Sequence, residues 1–182
     1  MRLEPLEVRH EEPLWALAQD ERVWRWMRVR GDESREAFHE WFDSMHAPGT
    51  FPFATLVDGV PLGHTSYLNV READRVAEIG NTWLAQPAWG TGANTEAKLL
   101  LLQHAFEDEG LLRVEFKTDA RNERSCAALA ALPAQFEGVF RKHMLVRGGE
   151  RRDSAWYSVI DDDWPAVKAA LRERLARDMR QP

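Results

Sequence analysis

One segment near the middle of the chain limits the possible folds more than any other. Val76–Leu84 has the composition of a β-strand, glycines follow at Gly90 and Gly92, and a helical pattern then runs from Glu96 to Glu109. A glycine-containing turn lets the backbone approach a ligand closely, and the free N–H groups at a helix start favour an anion. The segment therefore predicts a phosphate site; the alternative is a tight turn that only leads into a helix.

Two common phosphate-binding motifs do not fit this turn. A Walker loop ends in Gly-Lys-Ser/Thr, and that triplet does not occur between Trp83 and Glu96. A dinucleotide-binding fingerprint needs a third glycine where Thr95 stands and an acidic residue at the end of the next strand, whereas Glu115 lies within its strand. A Rossmann domain is therefore the weaker interpretation.

The order of predicted elements indicates a mixed α/β domain with a mostly antiparallel central sheet of about seven strands flanked by helices. The turn signal Asp58-Gly59 predicts a β-hairpin, and a central strand–helix–strand unit occurs once, which excludes a regular doubly wound fold. In chain order, the predicted elements are strand Leu3–Val8, helical residues His10–Met27 interrupted near Gln19-Asp20, a helix from Asp32 or Ser34 to Met45, strands Phe51–Val57, Leu62–Val70 and Val76–Leu84, helix Glu96–Glu109, strand Val114–Asp119, helix Asn122–Ala131, strands Phe136–Val146 and Asp153–Ile160, and a last helix after Asp161–Asp163.

Composition limits the class of protein. The 182 residues are 44% hydrophobic and 30% charged, which suits one globular domain over residues 1–182. No apolar run approaches the roughly 18 residues that cross a bilayer, and the first residues offer no apolar signal core, so we expect a cytoplasmic protein without a membrane partner. A single cysteine, Cys126, excludes a disulfide framework and a Cys-based zinc site, and we expect no metal.

Two stretches resemble the acetyl-CoA site of the GNAT superfamily of N-acetyltransferases. The first joins Glu78–Leu84 to Trp89–Ala97 and is similar to the Trp-Gly-x-Gly-x-x-Thr-Glu-Ala pattern of the ribosomal-protein alanine acetyltransferase branch. The second, Asp119–Ser125, is similar to the family's Asn-x-x-Ser element. Asn94 departs from the usual last residue of the pyrophosphate turn, and Pro133 replaces the glycine of a Leu-Gly-Phe turn.

The resemblance implies a GNAT-like fold with acetyl-CoA as the cofactor. Its pyrophosphate is expected on the N–H groups of the turn, and its pantetheine arm beside an asparagine. The residues that the resemblance assigns to cofactor binding are Thr82, Trp83, Leu84, Trp89, Gly90, Thr91, Gly92, Ala93, Asn94 and Asn122. The habit of the family, together with the eight tryptophans of the chain, also predicts a homodimer.

In this family the amine attacks the thioester directly, with no metal and no covalent enzyme intermediate. Glu78 is the first candidate for the general base that deprotonates the amine; the alternative is a solvated strand residue or a salt-bridge partner. Ser125 is the candidate donor to the leaving thiolate; the alternative is an ordinary serine in the first turn of a helix. The developing oxyanion is expected to meet a backbone N–H between Asn81 and Trp83.

Four ring-bearing side chains are candidates for contact with the acceptor amine. His64 and Tyr67, on the preceding strand, are second-choice bases or substrate contacts, and Trp24 or Trp26 is expected to wall the substrate pocket. The alternative for each of the four is a structural position in the core. The net charge of −6 disfavours non-specific nucleic-acid binding and favours cationic partners such as protonated amines.

The acceptor stays open at this level, because the motifs describe only the cofactor site. A protein N-terminus, a polyamine, an aminoglycoside and an amino acid all remain compatible with the sequence. Two non-enzymatic alternatives are an acyl-CoA binding or sensing domain and an interaction module built on a degenerate fold. The presence of both Glu78 and Ser125 favours the enzyme, while Asn81, Asn94 and Pro133 keep the interaction module open.

Overall fold

A seven-stranded open sheet forms the centre of the molecule. The strands are β1 (Arg2–Pro5), β2 (Phe51–Val57), β3 (Val60–Arg71), β4 (Val76–Leu84), β5 (Arg113–Asp119), β6 (Gln135–Val146) and β7 (Glu150–Ile160). Their spatial order is β1-β2-β3-β4-β5-β7-β6, and every neighbouring pair is antiparallel except β4 and β5. The computed structural model describes residues 1–178, and the predicted mixed α/β fold with a mostly antiparallel sheet of about seven strands is confirmed.

The helices pack on both faces of this sheet. They are α1 (Glu11–Leu17), α2 (Glu21–Trp24), α3 (Arg35–Ser44), α4 (Ala93–Gln103), α5 (Glu123–Ala130) and α6 (Trp164–Asp178). One apolar cluster joins α4 and α6 to the sheet and includes Leu102, Phe116 and Val159. A second cluster, under α1 to α3 on β2 to β4, includes Trp24 and Phe38.

The strands that position the site diverge from each other. The parallel pairing of β4 with β5 stops at Glu78 and Glu115, although β4 continues to Leu84 and β5 to Asp119. Within the split, a β-bulge on β4 places Asn81 at a φ of 49°. A bulge locally increases the bend and twist of a strand. The split and the bulge together open a cleft in the middle of the sheet.

Local sequence signals located most elements to within a few residues. Val76–Leu84 has the predicted bounds, and Asp58 and Gly59 form the turn between β2 and β3. The predicted helix Glu96–Glu109 begins earlier, at Ala93, and its last part, His104–Asp108, is a π-helical turn. The predicted helical stretch before Met27 is two short helices, α1 and α2, because Asp20 caps a new helix by accepting from the Arg22 N–H.

Candidate active site

A large cleft lies between β4 and β5. Its volume is about 1510 Å³. Its walls come from β4 and β5, the first turn of α4, α5, the segment Arg25–Val29 and the turn between β6 and β7. The hairpin turn is fastened over this space, since the Arg147 N–H donates to the Arg28 carbonyl at 2.9 Å and its Nη1 donates to the Met27 carbonyl at 2.7 Å.

The turn before α4 forms part of the cleft wall. Gly90 has a φ of 72°, a conformation that favours glycine. The Thr91 hydroxyl donates to the Ala88 carbonyl at 2.8 Å and accepts from the Ala93 N–H at 3.2 Å, which fixes the loop. Since the helix begins here, the N–H of Asn94 lacks an acceptor in the first turn, within the described residues. The turn therefore fits a phosphate group without any basic residue in it.

Two N–H groups of this turn that were expected to bind the cofactor, those of Trp89 and Ala93, donate hydrogen bonds within the protein instead. The Trp89 N–H donates to the Gln86 carbonyl at 3.0 Å, and the Ala93 N–H is bound to Thr91. The side chain of Trp89 still lines the cleft, with the guanidinium groups of Arg22 and Arg124 at 4.7 and 4.6 Å from its ring centroid. This stack of two cations on one indole stands beside the turn.

Most of the predicted cofactor residues line the cleft, but Gly92 and Ala93 do not. Gly92 caps α4 at an ordinary φ of −67°, and buried Ala93 lies behind it. The residues of the set that line the cleft are Thr82, Trp83, Leu84, Trp89, Gly90, Thr91, Asn94 and Asn122.

Glu78 lies on the wall of the cleft and is almost fully buried, with 2% of its surface exposed. Its Oε2 accepts hydrogen bonds from Lys117 Nζ at 2.7 Å and from Asn69 Nδ2 at 2.8 Å. Its Oε1 faces Gly80, where an added Cβ would come within 3.0 Å of the oxygen. Glu78 therefore forms a salt bridge with Lys117, which was the alternative to a role as general base. The salt bridge occupies only Oε2, one of the two carboxylate oxygens.

Asn122 and Ser125 form a paired unit at the start of α5. Asn122 caps the helix, because its side-chain oxygen accepts from the Ser125 N–H at 3.2 Å, while its Nδ2 donates to Ser125 Oγ at 2.9 Å. Both residues line the cleft. Since the hydroxyl oxygen already accepts from Asn122, its own hydrogen is available to an acceptor in the cleft.

Three of the four proposed acceptor contacts lie in the core instead of the cleft wall. Trp24 is fully buried, and its Nε1 donates to the Ala18 carbonyl at 2.7 Å. Tyr67 is buried and donates its hydroxyl to the Leu101 carbonyl at 2.5 Å, and burial raises the pKa of its phenol. Trp26 is half-buried and does line the cleft. The sequence-based assignment is thus corrected for Trp24 and Tyr67.

The assignment of His64 as a second-choice base or substrate contact is also corrected, because its side chain lies in the core and supports the β4 bulge. It is completely buried, and its Nδ1 lies 2.9 Å from the Asn81 carbonyl, so this nitrogen carries the hydrogen. Its Nε2 lies 3.2 Å from Ser66 Oγ. Burial lowers the pKa of His64 to about 4. Both ring nitrogens are engaged, so His64 is not available as a base for an amine in the cleft.

Lys98 is a cleft residue that sequence patterns missed. It lies on α4 among apolar residues, is 7% exposed, and donates from Nζ to Thr82 Oγ1 at 2.9 Å. Its ammonium also lies 6.0 Å from the ring centroid of Phe116. Desolvation lowers the pKa of Lys98 to about 7. The one available signal was a single cation in the otherwise apolar run Ala97–Leu102.

Comparisons with known proteins agree with this geometry. The family model described as "Acetyltransferase (GNAT) domain" matches residues 1–134. A candidate acetyltransferase from T. thermophilus is 40% identical, with a TM-score of 0.90, over 96% of this chain and 93% of that one. A GCN5-related N-acetyltransferase from Brucella melitensis is 31% identical, with a TM-score of 0.89, over 96% and 81% of the two chains.

A more distant structure shares the fold. Mycobacterium smegmatis RimJ, solved in complex with CoA-disulfide, is 24% identical with a TM-score of 0.80 over 94% of this chain and 88% of that one. No curated protein matches the sequence. Within residues 1–178, no helix has both the length and the apolar character needed to cross a membrane. The same residues contain no cluster of three His, Cys, Asp or Glu side chains that could hold a metal ion.

Proposed function

The chain belongs to the GNAT acetyltransferase family, and on this basis we propose that it is a single-domain N-acetyltransferase acting on a primary amine. Its cofactor is acetyl-CoA, which supplies the acetyl thioester when bound. The observation that carries the proposal is the split between β4 and β5, because the cleft that it opens is lined by Glu78, by the part of β4 beyond its pairing with β5 and by the Asn122–Ser125 unit.

Glu78 is proposed to take the proton from the acceptor ammonium, directly or through one water molecule. Oε2 is held by Lys117 and Asn69, so the carboxylate is oriented and Oε1 is left to accept the proton. Gly80 supports this arrangement, since any larger residue would crowd Oε1. An α-amino group has a pKa near 7.7–8.0, so only modest help from a base is needed to free it at neutral pH.

Two further groups are proposed to stabilise the charges that develop during transfer. The N–H groups of β4 between Asn81 and Trp83 lie beyond the last pairing with β5 and are suited to the carbonyl oxygen of the acetyl group. The hydroxyl of Ser125, oriented by Asn122, is suited to donate its hydrogen to the departing sulfur. Attack is direct, in a ternary complex of enzyme, acetyl-CoA and amine.

The test is the pH dependence of acetyl transfer by Glu78→Gln, which keeps the shape of the side chain and removes its charge. We expect kcat/KM to fall by about 10²–10⁴-fold at pH 6 and to recover partly by pH 9, where free amine is abundant. Free-thiol release from acetyl-CoA over a panel of amines is the assay.

Glu115→Gln is the matched control. Glu115 is a buried acid directly opposite Glu78 in the parallel pairing, but it contacts Arg71 and Arg113 and does not line the cleft. Full activity of Glu78→Gln from pH 6 to 9 would remove Glu78 from the mechanism. Tight acetyl-CoA binding by the wild type with no turnover of any amine would favour the binding-domain alternative.

We also propose that the protein is a cytoplasmic homodimer that pairs through β6. This strand is one of the two edges of the sheet and presents exposed apolar side chains, and such edges favour pairing with a second copy. Those side chains are Phe136, Val139, Phe140 and Leu145. Light scattering at micromolar concentration is expected to give twice the chain mass of 21.0 kDa, and Phe140→Lys is expected to shift it toward the monomer. A wild-type monomer would contradict the dimer.

A further inference from the structure

The charge of the cleft is opposite to the charge of the chain. The whole protein has a net charge of −6, yet among the residues that line the cleft only one, Glu78, is acidic, and nine are basic. The basic residues are Arg22, Arg25, Arg28, Lys98, Lys117, Arg124, Arg147, Arg152 and Arg174. A cleft lined by charges of one sign concentrates ligands of the opposite sign.

The cofactor accounts for only part of this charge. Arg22 and Arg124 stack on Trp89 beside the phosphate turn, where the phosphates of acetyl-CoA are expected. Arg28 and Arg152 lie with the β6–β7 turn on another side of the cleft. This second group is taken as the acceptor side of the cleft.

Arg152 is the member of this group that has an unsatisfied buried donor within the described chain. It is 6% exposed, lines the cleft, and its Nε is buried without a hydrogen-bond partner among residues 1–178. By the alternation of β7, it lies on the same face of the sheet as Trp156, which pairs with Lys117, the partner of Glu78. A guanidinium therefore shares the cleft with the proposed base.

The acids near Arg152 are already neutralised by other cations. Both oxygens of Asp119 accept from Arg121, at 3.0 and 2.8 Å. Glu78 accepts from Lys117. Burial lowers the pKa of Arg152, and the charges of Asp119 and Glu78 oppose that shift only in part. Burying a cation without a partner is unfavourable, so its retention in the cleft calls for an anion supplied from outside.

We propose that Arg152 binds a carboxylate of the acceptor, so that the substrate class is an amine that carries a carboxylate in the same molecule. The proposal rests on the proposed function. A planar guanidinium matches a carboxylate through two parallel N–H···O bonds, which would fix the amine relative to Glu78. A polyamine, which has only positive charges, is disfavoured in this cleft.

The experiment compares acceptor pairs that differ only in the carboxylate. One pair is a free amino acid and its amide; the other is a peptide amide beginning with Glu and the same peptide beginning with Gln. We expect the wild type to prefer the carboxylate member of at least one pair by roughly tenfold to hundredfold in kcat/KM, mainly through KM. The pair that shows the preference identifies whether an α-carboxylate or a side-chain carboxylate is bound.

Two variants of neighbouring residues isolate the contact. Arg152→Met is expected to abolish the preference, whereas Arg151→Met, which removes the same charge from an exposed neighbour on the same strand, is expected to keep it. Arg152→Lys keeps a positive charge but loses the planar guanidinium, and it is expected to retain part of the preference for the carboxylate acceptor. Equal rates for both members of each pair in the wild type, or a preference that survives Arg152→Met, would overturn the proposal.

Folding and turnover are checked separately. Removing an unpartnered buried cation is expected to leave the melting temperature of Arg152→Met unchanged or higher. Thermal stabilisation of the wild type by the N-acetylated amino acid, but not by its amide, tests carboxylate binding without catalysis. If that stabilisation is present and no amine is acetylated, the proposed function fails while the carboxylate site stands; if it is absent while amines are acetylated, only the site fails.

Discussion

Burial of Lys98 predicts that the protein becomes more stable as the pH rises above neutral. The pKa of the ammonium falls from the usual 10.5 to about 7 because the side chain is desolvated. Between these values the unfolded chain binds more protons at this position than the folded one, so deprotonation favours the fold. Below pH 7 the buried side chain is charged and the full cost of its desolvation lowers the free energy of unfolding. Above pH 10.5 the side chain is neutral in both states and this cost is absent.

The size of the effect follows from the two pKa values. Each pKa unit corresponds to about 1.4 kcal/mol, so the complete shift of Lys98 represents about 5 kcal/mol of unfolding free energy. By proton linkage, the contribution of Lys98 to the free energy of unfolding rises by about 2 kcal/mol between pH 7 and pH 9. That range is accessible to reversible unfolding, and a change of about 2 kcal/mol is large against the typical 5–15 kcal/mol stability of a domain.

Lys98→Met removes the titrating group and keeps an apolar side chain of similar length. Thr82 keeps a partner in the variant, since its Oγ1 also lies 2.8 Å from Thr65 Oγ1. Urea unfolding at pH 7, 8 and 9 should give a smaller rise in stability for this variant than for the wild type, by about 2 kcal/mol. Lys142→Met, at an exposed position, is the control and should follow the wild type. Superimposable pH profiles for Lys98→Met and the wild type would refute the reasoning.

Three further substitutions test the cofactor side of the cleft. Ser125→Ala should lower kcat by about tenfold at most, less than Glu78→Gln, because a thiolate is a fair leaving group without full protonation; single-turnover kinetics measure this. Gly92→Val should abolish coenzyme A binding in calorimetry while circular dichroism shows a folded protein, and unchanged affinity would sink the pyrophosphate assignment. Gly90→Ala should destabilise the protein by about 1–2 kcal/mol in thermal unfolding, because φ at this position is 72°.

The sequence predicted the features that depend on neighbouring residues. The turn from Trp89 to Thr95 and its helix follow from local backbone preferences, and the helix predicted from Asn122 to Ala131 is present as α5. Glu78 could be placed on the strand before the turn for the same reason. These features need no knowledge of how distant parts of the chain pack, so the part of the cleft wall that they form was predictable, whereas Lys98 and the β6–β7 turn were not.

The misplaced residues are those whose environment is created by distant segments. Trp24 is enclosed by α3, through Phe38 and an edge contact with Trp41 at 5.2 Å, and no local pattern separates it from half-buried Trp26 two positions later. His64 is buried because the same Trp41 covers it, also at 5.2 Å. In both cases the deciding contact joins residues many positions apart, so spacing alone could not resolve core from pocket.

The net charge of the chain, which favours cationic partners such as protonated amines, does not describe the charge of the cleft. The chain has 30 acidic and 24 basic residues, an excess that favours cationic ligands only if both kinds are spread evenly. They are not, because Glu78 is the sole acid that lines the cleft within the described chain. Screening confines most electrostatic influence to about 8 Å at physiological salt. A ligand in the cleft therefore experiences Arg152 and its neighbours more than the surface excess of acid, which is why we propose a carboxylate on an acceptor whose amine is itself cationic.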